Sequence, residues 1–378
     1  MLPLFLSLIA QAASAPPPPA PPPAPPVVTM VAARAHLIDF VPGEIRCGSR
    51  AVSPIASVRP FTVGATLGTD PVAPVDIAFS IDADGRPTGV AQLPRPAGRF
   101  AYLDASDLEV VTTLLRFVSG GPIAGCRVTF SPRETAVAEA SIERLAPFIA
   151  LNSPGLALIR RDALARLRMA DCGGQRPPRF LLRGYPDLAR VRPRRGEPDV
   201  SIIAYDIDAQ GVPVRLRPLA GTGNVELDAS AIDAFAKSRF VPGGARLRCT
   251  APAIRWPAPS DAPSAPPVAS FRPKDATCPQ TIVWERAPTP SYPTAYRRRA
   301  VEGWAIIGFD IAPWGATGNV RVLASAPSVS LGEPARRSVA SARAATSTTG
   351  ARGCVTRVLF RMAADDGAAS DGEPPAPF

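Results

Sequence analysis

Six cysteines are the residues of this 378-residue chain whose type and spacing could do chemistry. They are Cys47, Cys126, Cys172, Cys249, Cys278 and Cys354, and as consecutive pairs they lie 79, 77 and 76 residues apart. Thiols bind metal, exchange electrons or close disulfides. A zinc site needs clustered Cys and His ligands, and a redox centre needs a paired active-site motif. The chain has no Cys-x-x-Cys, and His36 is its one histidine. Disulfides are the chemistry left, and an even cysteine count in an exported chain points the same way. Six cysteines allow fifteen pairings. The repeated interval selects Cys47–Cys126, Cys172–Cys249 and Cys278–Cys354. Each closes a loop worth about 4–5 kcal/mol on the loop-entropy model.

Other chemistries find less support. Nucleophilic catalysis by Ser or Cys needs a histidine base. His36 lies outside the cysteine intervals and reads as a surface residue. Asp82, Asp84 and Asp208 fall in glycine turns, where Asp is favoured for local hydrogen bonds. No phosphate-binding glycine loop appears. The expectation is a non-enzymatic protein with no cofactor, no metal and no small-molecule substrate.

The elements that hold the cysteines repeat with them. The first interval contains Ile77-Ala-Phe79-Ser-Ile81-Asp82-Ala-Asp-Gly85, the second Ile203-Ala-Tyr205-Asp-Ile207-Asp208-Ala-Gln-Gly211, the third Ile307-Gly-Phe309-Asp-Ile311-Ala-Pro-Trp-Gly315. In each, an aromatic stands six residues before a glycine. Apolar alternation of period two predicts a half-buried strand, and the glycine marks a turn that needs positive φ. Each copy therefore centres on a β-hairpin. Helices are predicted after the hairpins, over Asp104 to Arg116, Ser230 to Arg239 and Glu333 to Arg343. Phe117 and Phe240 each precede the second cysteine by nine residues, a place held by Ala345 in the third copy. Final strands carry the second cysteines, as in Cys126 to Phe130 and Cys354 to Phe360.

The expected fold class is α+β, with tandem small modules. Each is a roughly three-stranded antiparallel sheet with one or two helices on one face. The modules span 36–132, 171–256 and 272–362. Between them lie a helical link at 133–170, including the amphipathic run Val137 to Leu151, and a Pro-rich linker at 257–271.

Composition sets the context. Hydrophobic residues make up 46% of the chain and proline contributes 47 residues, so packed cores alternate with linkers. The apolar run Leu2 to Ala10 is too short to span a bilayer and fits a signal peptide, residues 1–12. A Pro/Ala-rich leader at 13–35 and an acidic tail at 363–378, with Asp365, Asp366, Asp371 and Glu373, complete the ends. The formal charge of +10 comes almost entirely from arginine. Export to the periplasm removes nucleic acid as a partner and leaves anionic envelope polymers as one candidate.

The third module resembles the TonB C-terminal domain. The stretch Tyr292-Pro293, a basic run to Arg299, Glu302-Gly303, a strand, Gly315, then Asn319-Val320 occurs in the family's order. The second module matches more weakly, with Tyr185-Pro186 eleven residues before Gly196 as Tyr292 is before Gly303. The first matches only from its hairpin onward. The resemblance implies strand addition of extended peptides at a sheet edge, with envelope proteins and outer-membrane receptors as partners. It places that edge on the last strand, at Val355, Arg357, Val358 and Phe360. Two alternatives stand beside it: an energy transducer with an uncleaved N-terminal anchor, and a structural envelope protein binding anionic polymers.

Overall fold

Strand boundaries follow the repeat closely. The structure, a computed structural model, describes residues 36–61, 64–66, 72–94, 105–151, 163, 166, 167, 172 and 178–362. The signal peptide, the leader, the acidic tail and most of the link beyond residue 151 lie outside the described residues.

The first module contains β1 (His36–Pro42), β2 (Ile45–Cys47), β3 (Arg50–Val52), β4 (Gly64–Thr66), β5 (Val75–Ile81), β6 (Pro87–Gln92), α1 (Ser106–Leu114) and β7 (Ile123–Ala136). Helix α2 (Ile142–Ala150) follows. The second contains β8 (Phe180–Leu182), β9 (Asp199–Ile207), β10 (Pro213–Gly221), α3 (Val225–Lys237), β11 (Arg239–Phe240) and β12 (Arg246–Arg255). The third contains β13 (Trp284–Arg286), α4 (Thr294–Arg298), β14 (Gly303–Ile311), β15 (Thr317–Ala326), α5 (Gly332–Ala340), β16 (Arg343–Ala344) and β17 (Ala351–Phe360).

All three share one antiparallel unit: β6-β5-β7, β10-β9-β12 and β15-β14-β17. The hairpin glycines Gly85, Gly211 and Gly315 have φ of +75°, +80° and +86°. A Cβ there would meet the carbonyl oxygen of Phe117, Phe240 or Ala344 at 2.1–2.2 Å. Each glycine is thus required twice over, by backbone conformation and by close approach. The same contacts correct the alignment of the third copy: Ala344, not Ala345, is the counterpart of Phe117 and Phe240.

The cysteines close on the middle strands. Cys126, Cys249 and Cys354 stand opposite Phe79, Tyr205 and Phe309. Bridges join Cys47 to Cys126, Cys172 to Cys249 and Cys278 to Cys354, with Cα–Cα distances of 3.8, 5.1 and 5.0 Å. A second ring stacks on each middle-strand aromatic. Phe117 lies 6.1 Å from Phe79, and Phe240 lies 5.9 Å from Tyr205. In the third module Ala344 has no ring, and Trp284 of the neighbouring strand fills the place, 5.8 Å from Phe309.

The helices start and stop differently from the periodicity. Helix α1 begins at Ser106 after Ala105, which makes no side-chain cap, and Asp104 lies outside the described residues. Helix α3 begins five residues before the expected Ser230, because Asn224 caps it by accepting from the Leu227 N–H. Helix α5 ends at Ala340, since Arg343 is already paired in β16.

The modules differ in how their sheets are covered. In β5 only Val75, Ile77, Phe79 and Ile81 are buried, whereas β9 and β14 are buried on both faces. Two segments supply the second cover. Helix α2 packs its Leu145, Phe148 and Ile149 with Val200 and Ile202 of β9. The expected link thus packs on the sheet of the second module. The Pro-rich 257–271 segment is an ordered strap on the third sheet: Trp304 Nε1 donates to the Pro263 carbonyl at 2.8 Å, and Phe271 and Ala265 pack beside Ile306.

A buried junction joins the first and third modules. Helix α1 is buried nearly all round. Leu108 enters the first core, while Val110 and Leu114 enter the third. Arg299, with no exposed surface, meets Asp107 of α1 through Nε at 2.5 Å and Nη2 at 2.8 Å. It also donates to the carbonyls of Gly196 and Arg59, both at 2.8 Å, and lies 3.8 Å from the Phe61 ring centroid. Beside it Tyr296 donates to Glu109 at 3.0 Å, and Ser328 donates to the same carboxyl oxygen. Burial pushes the Glu109 carboxyl above its ordinary range, against hydrogen bonds from Ser330, Tyr296 and the backbone.

His36 is not the surface residue the sequence suggested. It begins β1, half-buried, with a buried Nδ1 that makes no hydrogen bond.

Candidate peptide-binding edge

The third module's motif residues build the frame of one sheet. Pro293 opens α4 at its N-cap position. Tyr292 donates to the Val301 carbonyl at 2.7 Å and sets its ring edge-on to Phe360, 5.7 Å away. Burial raises its phenol well above the ordinary value, so it stays a neutral donor. The Glu302 carboxylate accepts from the Met362 N–H at 2.9 Å, fixing the end of β17. Gly303 admits no side chain, since a Cβ would stand 2.3 Å from Leu331 and 2.6 Å from the Ala326 carbonyl. Val320 packs against the third core.

Asn319 has the most specific role. Its φ is +50°, and its amide donates to Asp310 at 2.7 Å. The Gly353 N–H, at φ +66°, donates to the other oxygen of Asp310 at 2.8 Å. Asp310 on the middle strand thus pins a bulge on each neighbour. The Asn319 amide, then the Gly353 N–H, hold its carboxyl below the ordinary range. The second module repeats the device: Asp206 accepts from Arg215 Nε at 2.5 Å and from the Arg248 N–H at 2.6 Å. Arg215 and Arg248 have φ of +54° and +59°. In the first module Ser80 replaces the acid, and Gly89 and Gly125 take the left-handed places at +58° and +69°. Sequence reasoning missed this staple, although an Asp or Ser two residues before Asp82, Asp208 and Ala312 recurs in all copies.

The second module's weaker match has a different register. Gly196 and Ala300 are equivalent, each in a left-handed conformation four residues into the approach to Val200 and Trp304. Asp199 therefore takes the place of Gly303. Tyr185 is 67% exposed and has no counterpart of the Tyr292 hydrogen bond to Val301.

The four expected edge residues divide between two faces. Val358 and Phe360 point into the third core. Val355 packs under the strap, and Arg357 donates to the Pro266 carbonyl at 2.7 Å. Their side chains serve the fold. What β17 offers is its backbone, since its one strand partner among the described residues is β14. Thr277 closes the upstream end, donating to the Arg352 carbonyl at 3.1 Å and accepting its N–H at 2.9 Å.

The first module shows that edge occupied. Residues 36–47 run antiparallel along β7: His36 faces Ala136, Pro42 faces Phe130, Arg46 faces Arg127 and Cys47 faces Cys126. The Gly43 N–H donates to the Thr129 carbonyl at 2.8 Å. Cys126 and Cys354 are equivalent, so Thr129 corresponds to Arg357. The same parity turns the backbone of Val355, Arg357 and Leu359 outward.

No helix among the described residues is long and apolar enough to cross a membrane. No curated protein matches the chain. Residues 288–360 match the family model described as Gram-negative bacterial TonB protein C-terminal, and the third module is on that ground a TonB C-terminal-type domain.

Proposed function

We propose that this is a non-enzymatic, periplasmic TonB-like envelope protein whose third module binds extended segments of other envelope proteins, outer-membrane receptors among them, by strand addition along β17. One observation carries the reading. Among the described residues, the third strand of the shared unit pairs on one side only in the third module, as it does in the second, while its counterpart β7 holds an antiparallel strand of the same chain. Main-chain hydrogen bonds supply affinity in such complexes. The test is capture of receptor periplasmic segments by the full chain. Leu359, 41% exposed, is the probe, because proline there removes an outward donor and is tolerated on an edge strand. Leu359→Pro abolishes capture and Leu359→Ala retains it; equal capture by both overturns the proposal.

A further inference from the structure

The tip of the third module carries a groove of about 630 Å3 between the β14–β15 turn and residues 349–352. Its residues combine three features. Trp314, on the turn, is 62% exposed. Asp310 presents a carboxylate already fixed by Asn319 and Gly353. Arg352 is exposed, and its backbone is held by Thr277. Gly318, opposite Asp310 in the ladder, leaves open space where a side chain would stand. The other modules have Asp84 and Gln210 at the place of Trp314, so only the third carries the ring.

The charges decide the ligand class. A cation entering beside Asp310 meets Arg321 and Arg352, both close enough to act on that carboxylate. An anion meets the carboxylate itself. A neutral polyol can use both signs, with hydroxyls donating to Asp310 and accepting from Arg352. The flat indole supplies an apolar face for the C–H side of a sugar ring. The volume lies within the range of about 300–1,000 Å3 in which small-ligand sites fall. We propose that this groove binds a pyranose unit of a neutral glycan, stacked on Trp314 and hydrogen-bonded by Asp310 and Arg352.

Calorimetric titration of the full chain with chitotetraose and with maltotetraose tests the proposal. The two probes separate an N-acetylated glycan from a plain hexose polymer. At least one is expected to bind with Kd below about 1 mM. Trp314→Ala weakens that binding at least about tenfold. Gly318→Leu, whose Cβ has no atom of the fold within 4 Å, projects a side chain into the groove and weakens it to a similar extent. Trp256→Ala, at a ring 46% exposed and outside the groove, leaves it unchanged. Melting temperatures of the variants establish that each is folded. Absence of binding for both sugars up to about 10 mM, or binding that survives Trp314→Ala, overturns the assignment.

Discussion

The first and third modules carry the same three-strand unit and treat its outer edge in opposite ways. In the first, residues 36–47 lie along β7, and Ile38, Phe40 and Ile45 enter the core. Asp39 pairs with Arg144 of α2, and Leu37 packs with the α2 cluster. In the third, the chain before Cys278 turns away over the sheet face as the strap, and β17 is left paired on one side. The comparison teaches that the cysteine pair does not decide whether an edge is free. What decides is the route of the chain before the first cysteine: apolar residues at 37, 38, 40, 41 and 45 in the first module, proline at 257, 259, 263, 266, 267 and 273 in the third. Each proline lacks the N–H that a ladder needs; the sealing strand carries one, Pro42, at its end, and the strap carries several.

The largest expected effect comes from removing the covalent clip of the sealed edge. Replacing Cys47 and Cys126 together by Ser opens a loop of 79 residues and costs about 4–5 kcal/mol, read as a lower urea midpoint. Adding Phe40→Ala loosens the strand itself, and the first module is then expected to capture the segments that the third captures. Capture with unchanged stoichiometry would show that the two edges differ in more than the seal.

Arg299 joins the two modules being compared. Arg299→Met leaves Asp107 buried without its partner, at a cost of about 3–5 kcal/mol. Calorimetry is expected to show the single transition separating into two. Asp107→Asn in the same chain should recover part of the loss, because the stranded charge is gone.

A smaller effect separates the modules at the bulges. Asp310→Ala removes two hydrogen bonds to a carboxylate and costs about 1–3 kcal/mol. Ser80→Ala, at the matching place in the first module, should move the urea midpoint by less than half as much.

The smallest effect is a pH slope. Glu109 belongs to the first module and takes its hydrogen bonds from Tyr296 and Ser328 of the third. Its folded pKa is raised by burial, so the folded state binds more protons than the unfolded one in the window between the two values. Stability is greatest below the unfolded carboxyl range and falls as pH rises through the folded value. Glu109→Gln is expected to flatten that fall in melting temperature, and an unchanged slope would assign it to another group.

The repeat was legible because its determinants are local. Gly85, Gly211 and Gly315 mark turns, and the alternation around Phe79, Tyr205 and Phe309 marks the middle strands. Even the double burial of β9 and β14 shows in the short apolar runs Ile202 to Tyr205 and Trp304 to Ile307. Other features depend on distant partners. Arg299 is one of three consecutive arginines, and nothing local distinguishes it from Arg297 and Arg298; its partner Asp107 lies 192 residues away. Arg215 and Arg248 adopt left-handed backbone without the glycine that would announce it. The ring lost at Ala344 is replaced from Trp284, which spacing to the cysteine cannot show. The candidate edge was legible as a strand, but its side chains proved to be committed to the core and the strap.

The sealed strand also limits valence. A chain with three bare edges could recruit copies of itself sheet by sheet, each recruit offering fresh edges, which is how soluble β-proteins grow into polymers. Building one such edge shut, with a covalent clip beside it, removes a growth point from every molecule in a compartment where thiols stay oxidised.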